Sequence, residues 1–277
     1  MLAQRVATAA IAIPALVVVL WLGRWWIAGV VLVLAVLAGM ETFRLLRQAG
    51  HRGLGALGTT IGLALVLDGA LFAEPSGKAF LFLVAGFVLA AIGSFLRADP
   101  HDGLATLMTT VFGALFVGLL GFLPRLAGLD LTVPTGAPLG ALLDGGRWWL
   151  VAAVLGVWAY DTGAYFTGRT VGGPRFLTAI SPSKTWAGAL GGLIAATAVE
   201  GLLLWGLGRA PIDALLLGPL VAVAAQAGDL AESMLKRAAG AKDSGTLFPG
   251  HGGVLDRVDS LLFAAPVVYA YVLAVVR

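Results

Sequence analysis

The sequence predicts an all-α protein, a polytopic integral membrane protein with about nine transmembrane helices, on three observations. Of the 277 residues, 59% are hydrophobic and 12% are charged, and that charged share is about half the share of a typical soluble domain. The apolar runs reach the ~20 residues that a helix needs to cross the hydrocarbon core of a bilayer. They are too long for a membrane β-barrel, whose strands are segments of ~10 residues with alternating hydrophobicity.

The apolar runs divide the chain into nine expected spans. These cover residues 6–22, 26–43, 55–73, 79–96, 104–123, 148–167, 186–206, 211–228 and 258–276. The loops between them leave no room for a separate soluble module. We therefore expect one membrane domain over residues 1–277, with spans one to five in the N-terminal helices of 1–140 and spans six to nine in 141–277.

Lysine and arginine are distributed unequally between the two sides of the predicted bundle. Nine spans place the N-terminus and the even-numbered loops on one side, which then carries twelve of the 18 Lys and Arg residues. Because loops rich in Lys and Arg stay in the cytoplasm, this side is predicted to be cytoplasmic and the C-terminus to lie outside. The formal net charge of +3 is assigned to this topology, and no nucleic-acid partner is expected.

Charge is concentrated between Asp229 and Asp259. These 31 residues hold five of the 15 acids and four of the 18 bases of the chain. If the preceding helix continues, Asp229, Glu232, Ser233 and Lys236 recur at spacings of three and four residues and share one face. Asp256 and Asp259, three residues apart, open the last span and share a face there. Carboxylates at two helix ends are thus joined by a glycine-rich connector.

This pattern is typical of a site for a metal ion and a polyphosphate. Hard cations such as Mg²⁺ take oxygen ligands and keep waters or substrate phosphates, while neighbouring Lys and Arg side chains bind phosphate oxygens. The sequence has no cysteine and three histidines, which argues against a zinc site. Simpler explanations stay open for single residues: helix capping for Asp256 and Asp259, a tight turn for the glycines near residue 252, and an ordinary loop position for His251.

A second polar cluster occupies residues 159–188, in the sixth span and the loop after it. Asp161 follows thirteen uncharged residues, and an acid inside a membrane span suggests a functional role. The alternative is a buried partner for Arg169 or Tyr165. The segment around Lys184 reads SPSKT and lacks the glycine and the preceding strand of a P-loop. Gly188 and Gly192, four residues apart, indicate close helix packing.

The segment Ser233 to Ser260 resembles the signature of the phosphatidate cytidylyltransferases, the CDP-diacylglycerol synthases. That signature runs S-x-x-K-R, four residues, K-D, a short spacer and P-x-H-G-G-x-x-D-R-x-D. Its fixed positions are all filled, by Ser233, Lys236, Arg237, Lys242, Asp243, Pro249, His251, Gly252, Gly253, Asp256, Arg257 and Asp259. The segments YDTGAYFTGR and SPSKTW are also similar to polar blocks of that family, so the resemblance is strongest over residues 157–260.

The resemblance implies that CTP and phosphatidic acid react to give CDP-diacylglycerol and pyrophosphate for phospholipid biosynthesis. It implies Mg²⁺ dependence, allows a second cation such as K⁺, and suggests a homodimer in the bacterial inner membrane with its active site facing the cytoplasm. The catalytic residues would be Asp229, Lys236, Asp256 and Asp259, with Asp229, Asp256 and Asp259 as metal ligands and Asp161 as a further candidate. The substrate-binding residues would be Ser183, Lys184, Ser233, Arg237, Lys242, His251, Gly252, Gly253 and Arg257.

Two other functions fit parts of the sequence. A CTP-dependent polyprenol or dolichol kinase would use the same nucleotide with a lipid alcohol and release CDP, although the complete signature favours the cytidylyltransferase. An ion-coupled transporter would use acids inside the membrane, but the charge is concentrated at one surface and no inverted repeat is visible. Glu41, Asp68 and Glu200 are further acids in or near spans, and the sequence assigns none of them to the site.

Overall fold

A computed structural model describes residues 2–74, 77–247 and 252–277. Its α-helices are α1 Leu2–Leu22, α2 Arg24–Gln48, α3 Gly55–Leu71, α4 Lys78–Ser94, α5 Pro100–Gly118, α6 Phe122–Ala127, α7 Gly145–Thr170, α8 Trp186–Gly206, α9 Ala214–Ala238 and α10 Leu255–Tyr271. Within the described residues no β-strand occurs, and an isolated bridge joins Arg175 to Thr185. The all-α prediction is confirmed.

Within the described residues, five helical stretches are long and apolar enough to cross a membrane. They are Arg24–Gln48, Pro100–Ala127, Trp186–Gly206, Pro211–Ala238 and Leu255–Val276. A helix overlaps each of the nine expected spans, but α3 and α4 have 17 residues each, fewer than the ~20 residues of a typical span. The long helix α7 contains charged residues and is not among the five. The chain is thus a helical membrane protein, and the count of about nine transmembrane helices is not confirmed.

The chain divides into two compact units whose boundaries do not follow chain order. The first unit comprises Met1–Arg125 and Leu235–Val258, and the second comprises Leu126–Met234 and Asp259–Arg277. The start of α10 therefore belongs with the N-terminal helices. The expected single membrane domain over 1–277, with its division into 1–140 and 141–277, stays a prediction.

In the first unit, α3 packs against α2, α4 and α5. Val66 of α3 and Ala35 of α2 are fully buried there. Asp68 of α3 is also buried, and its carboxylate accepts a hydrogen bond from the Arg125 guanidinium. Arg125 donates a second hydrogen bond, of 3.1 Å, to the carbonyl of Glu74. A buried charge is tolerated when it is paired, so this ion pair accounts for an acid that the sequence left unexplained.

In the second unit, α7 packs along α8 through small residues. A Cβ atom added at Gly192 would lie 2.7 Å from the ring of Tyr160 and 2.8 Å from its carbonyl oxygen. Gly188 likewise lies against the backbone of Ala164 and Gly168. The packing role expected for Gly188 and Gly192 is confirmed, because backbones this close leave no room for side chains.

Candidate active site

Two helices carry Asp229, Asp256 and Asp259. Helix α9 continues to Ala238, so Asp229, Glu232, Ser233 and Lys236 do lie on one helical stretch at spacings of three and four residues. Helix α10 begins at Leu255 with Asp256 in its first turn. Asp259 follows one turn later, and its Oδ1 accepts a 2.7 Å hydrogen bond from the amide of Ser260. The two helical stretches predicted from the residue spacing are confirmed.

In the first unit, the carboxylate of Asp256 has partners at both oxygens. Its Oδ2 accepts hydrogen bonds from the Ser244 amide at 2.8 Å, the Ser244 hydroxyl at 2.8 Å and the Gly253 amide at 2.7 Å. Its Oδ1 accepts a 2.7 Å charge-assisted hydrogen bond from Lys236 Nζ. Asp256 therefore joins α9, the Ser244 segment and the turn that precedes α10.

The N-terminus of α10 is capped by an acid from α2. Glu41 accepts hydrogen bonds from the Val254 amide at 3.1 Å and the Leu255 amide at 2.8 Å, one on each carboxylate oxygen. The Asp256 amide donates to the Ser244 hydroxyl oxygen at 3.3 Å. The first amides of a helix lack partners within the helix, and here Glu41 and Ser244 supply them. The side chain of Asp256 is directed to the preceding loop instead.

Glycine allows the loop to approach both carboxylates. Gly252 has φ +80°, a backbone conformation that other residues rarely adopt. A Cβ atom added at Gly245 or Gly253 would overlap the carboxylate oxygens of Glu41. Backbone at these glycines does approach an anionic group closely, and in this structure the anionic groups are Glu41 and Asp256. We call Glu41, Lys236, Ser244, Gly253 and Asp256 the signature cluster.

The second unit contains a separate acid–lysine pair. Lys184 Nζ lies 2.7 Å from Asp229 Oδ2, and the two side chains are 23% and 25% exposed. Asp161 lies within electrostatic range of both groups. The two alternative partners of Asp161 contact each other, because Arg169 donates a 2.7 Å hydrogen bond to the Tyr165 hydroxyl. The structure thus brings together three residues that were singled out from the sequence for charge and position.

Local backbone contacts hold Lys184 in place. The carbonyl of Lys184 accepts a 3.2 Å hydrogen bond from the Phe176 amide, beside the bridge between Arg175 and Thr185. The next residue, Thr185, caps α8 by accepting a 3.1 Å hydrogen bond from the Gly188 amide. Lys184 therefore lies in a hydrogen-bonded loop directly before the N-cap residue of α8.

The other predicted substrate-binding residues differ in their environment. Ser233 is buried on α9, whereas Ser183, Arg237, Lys242 and Arg257 are exposed. Arg237 donates a 3.2 Å hydrogen bond to the carbonyl of Ala241 at the end of its own helix. His251 lies outside the described residues. Exposed bases are accessible to a soluble, negatively charged ligand.

In the described parts of the chain, no group of three or more His, Cys, Asp or Glu side chains could hold a metal ion. Mg²⁺, however, is commonly held by one or two carboxylates together with waters and substrate phosphates. Asp229 and Asp256 each have an ammonium group at 2.7 Å from one oxygen. In each of these two residues, therefore, one carboxylate oxygen already contacts a cationic group.

Glu41 and Ser244 belong to the signature cluster but were not predicted from the sequence. Glu41 is the only acid in the 25 residues of α2, and a lone acid in an apolar helix could have indicated a role. Ser244 carried no comparable signal, because it occupies an unspecified position between Asp243 and Pro249 in the signature.

Comparison with known proteins gives one consistent family. The sequence matches the model described as "Cytidylyltransferase family" over residues 3–275. It is 36% identical to a phosphatidate cytidylyltransferase of Synechocystis sp., over 97% of this chain and 96% of that protein. It is 53% identical to a phosphatidate cytidylyltransferase of Brucella suis, over 42% of this chain and 43% of that protein. It is 39% identical to phosphatidate cytidylyltransferase 4, chloroplastic, of Arabidopsis thaliana, over 68% of this chain and 51% of that protein.

Proposed function

Because the chain belongs to the cytidylyltransferase family, we propose that it transfers CMP from CTP to phosphatidic acid, giving CDP-diacylglycerol and pyrophosphate for phospholipid biosynthesis. The observation that carries this proposal is the signature cluster, in which Lys236 and Asp256 of the signature are paired at 2.7 Å. A base and an acid held together in this way suit a substrate that carries both phosphate and metal.

The reaction needs no nucleophile from the protein. An oxygen of the lipid phosphate attacks the α-phosphorus of CTP, the new phosphorus–oxygen bond forms, and the bond to the bridging oxygen of the β-phosphate breaks. Pyrophosphate leaves with that oxygen and its electron pair. The protein then contributes by positioning the two phosphates and neutralising their charge.

Lys184 and Lys236 are suited to that neutralising role. Each ammonium lies 2.7 Å from a carboxylate oxygen, so each is held beside a proposed metal ligand. We propose that each lysine moves from its carboxylate to a phosphate oxygen when CTP binds. Arg237, Lys242 and Arg257 are exposed and would attract the nucleotide, while Ser183, Ser233, His251, Gly252 and Gly253 would complete the substrate site.

The acids would hold the cation. Asp229, Asp256 and Asp259, with Asp161 as a further ligand, are the proposed Mg²⁺ ligands, and a second cation such as K⁺ would add to them. When bound, Mg²⁺ supplies charge neutralisation and orientation of the phosphate oxygens. When a lysine moves to a phosphate, the carboxylate oxygen that it leaves would be available to the cation. Asp229 and Asp256 would therefore pair with Lys184 and Lys236 before CTP binds and would hold Mg²⁺ afterwards.

We propose the bacterial inner membrane as the location, with the polar loops facing the cytoplasm. The apolar helices and the excess of Lys and Arg in these loops support this orientation, and CTP is supplied from that side. We also propose a homodimer, as the family resemblance implies.

Product analysis tests the proposed function. Purified protein in detergent or vesicles is incubated with phosphatidic acid, Mg²⁺ and CTP labelled at the α-phosphorus. We expect the label in CDP-diacylglycerol, together with an equal amount of unlabelled pyrophosphate. A lipid-alcohol kinase would leave the label in CDP, and a transporter would leave CTP intact. Either result from folded protein would contradict the proposal.

A further inference from the structure

Helix α2 lies far from the signature in sequence, yet its one acid contacts the signature directly. Glu41 is buried and accepts hydrogen bonds from three groups, the amides of Val254 and Leu255 and the hydroxyl of Ser244 at 3.0 Å. From the next turn of α2, Arg44 donates a hydrogen bond to the carbonyl of Ser244. Ser244 and the two residues Val254 and Leu255 are therefore all held by α2.

The partners of Glu41 are also the partners of Asp256. The Ser244 hydroxyl lies 3.0 Å from Glu41 Oε2 and 2.8 Å from Asp256 Oδ2. A hydroxyl has one proton to donate, so the two carboxylates share this donor. Gly253 donates its amide to Asp256, and its Cα faces the Glu41 carboxylate without room for a Cβ. A change at Glu41 must therefore be transmitted to Asp256 through Ser244 and Gly253.

Glu41 also occupies the place where a helix N-terminus would bind a phosphate. Free amides and the positive end of the helix dipole make such a terminus an anion site. The Val254 and Leu255 amides of α10 are already bound by the Glu41 carboxylate. These two amides are therefore not available to a phosphate of CTP.

We propose that Glu41 is a positioning residue for Asp256. It holds the first residues of α10 in place, together with the contacts that Ser244 and Gly253 make with Asp256. Through these contacts it fixes the position and direction of the Asp256 carboxylate and of its partner Lys236. This inference rests on the proposed function, because it gives Glu41 a role in cytidylyl transfer and not in folding alone.

Glu41→Gln tests the inference with a nearly isosteric change. The amide keeps one acceptor oxygen, but its NH₂ group faces an amide or hydroxyl that also donates. Since a misplacement of ~1 Å at a reacting group costs on the order of 100-fold, we expect kcat to fall about 10- to 100-fold. The KM for phosphatidic acid should stay unchanged.

Asp68→Asn is the matched control. It also converts a buried acid of the first unit to its amide, but Asp68 pairs with Arg125 and not with the signature. We expect a lower Tm with an unchanged kcat per folded molecule. If Glu41→Gln behaves in the same way, losing Tm but not kcat, Glu41 only stabilises the fold and the inference is wrong.

A rescue experiment asks whether the contact itself matters. Gly253→Ala places a methyl group against the Glu41 carboxylate and should lower kcat. Adding Glu41→Asp withdraws that carboxylate by one methylene. The kcat of the double variant should therefore be higher than the value obtained by multiplying the two single-variant losses. Gly29→Ala, on α2 with no atom within 4 Å of the added Cβ, should leave activity unchanged. Additive effects at residues 41 and 253 would overturn the inference.

Failure of the proposed function would be visible separately. If the wild-type protein forms no CDP-diacylglycerol, the proposed reaction is wrong. Hydrogen exchange then tests separately whether Glu41 positions the start of α10. Faster exchange at the Val254 and Leu255 amides in Glu41→Gln, with unchanged exchange in α3, would support a local role at the start of α10. Unchanged exchange at those amides would overturn it.

Discussion

Lys236 Nζ lies 2.7 Å from Asp256 Oδ1, and the two side chains are 12% and 8% exposed. The other oxygen of Asp256 accepts hydrogen bonds from Ser244 and Gly253. A nearly buried ion pair with further hydrogen bonds is costly to break from one side, because the remaining charge stays buried. This pair is therefore both the most constrained part of the signature cluster and the part with the clearest role in the proposed reaction.

Asp256→Asn should abolish most turnover while the protein still inserts and folds. The amide removes the negative charge that binds Lys236 and the proposed cation, and losing one electrostatic contact of this kind typically costs on the order of 100- to 1,000-fold in kcat. CDP-diacylglycerol formation and Tm would be measured on the same preparation. Asp102→Asn, an exposed acid in the first turn of α5, should retain wild-type activity. Wild-type turnover in Asp256→Asn would remove Asp256 from the site.

Lys184→Met should change the two substrate dependences in opposite directions. Without the ammonium at 2.7 Å, Asp229 loses a cationic competitor, so the Mg²⁺ concentration for half-maximal rate should fall. The KM for CTP should rise, because a phosphate ligand is lost. Lys184→Arg keeps the charge, so its Mg²⁺ requirement and its KM for CTP should lie between those of Lys184→Met and the wild type. A higher Mg²⁺ requirement in Lys184→Met would contradict the partner exchange proposed for this lysine.

Asp68→Ala should destabilise the first unit by about 3–5 kcal/mol, because it leaves the Arg125 guanidinium buried without its carboxylate. Thermal unfolding in a fixed detergent would measure the change. In Asp68→Leu combined with Arg125→Met both charges are removed, and much of the lost stability should return. A double variant less stable than either single one would show that the pair is needed for more than charge balance.

Gly192→Ala should separate α7 from α8. The added methyl group would meet the ring and carbonyl of Tyr160 at under 3 Å, and overpacking of this kind costs about 1–3 kcal/mol. Gly201→Ala on the same helix meets its nearest atom at 3.6 Å and should be neutral or slightly stabilising. A comparison of Tm for the two variants checks this. Equal Tm values would mean that the helices adjust without strain.

The helices and the signature could be predicted from the sequence because their determinants are local. Apolar runs of span length and the spacing of Asp229, Lys236 and Asp256 are visible in short windows, and the helices through α9 and α10 were found where expected. The number of membrane crossings was less accessible, because α3 and α4 are only 17 residues long.

Partner choice could not be predicted, because it is set by contacts between distant segments. Asp68 and Arg125 are 57 residues apart, and Glu41 and Leu255 are 214 residues apart. No local pattern distinguishes an acid with such a partner from one without. The sequence accordingly identified the groups that carry charge near the signature, but not the buried acid that holds the signature in place.

The cap on α10 has a consequence for how the protein is made. Glu41 leaves the ribosome more than 200 residues before the Val254 and Leu255 amides that it binds. During synthesis the hydrogen bonds from Val254 and Leu255 to Glu41 cannot form while the intervening helices enter the membrane. The first turn of α10 gains this cap only when it reaches Glu41, so the signature cluster can assemble only after α10 has been synthesised.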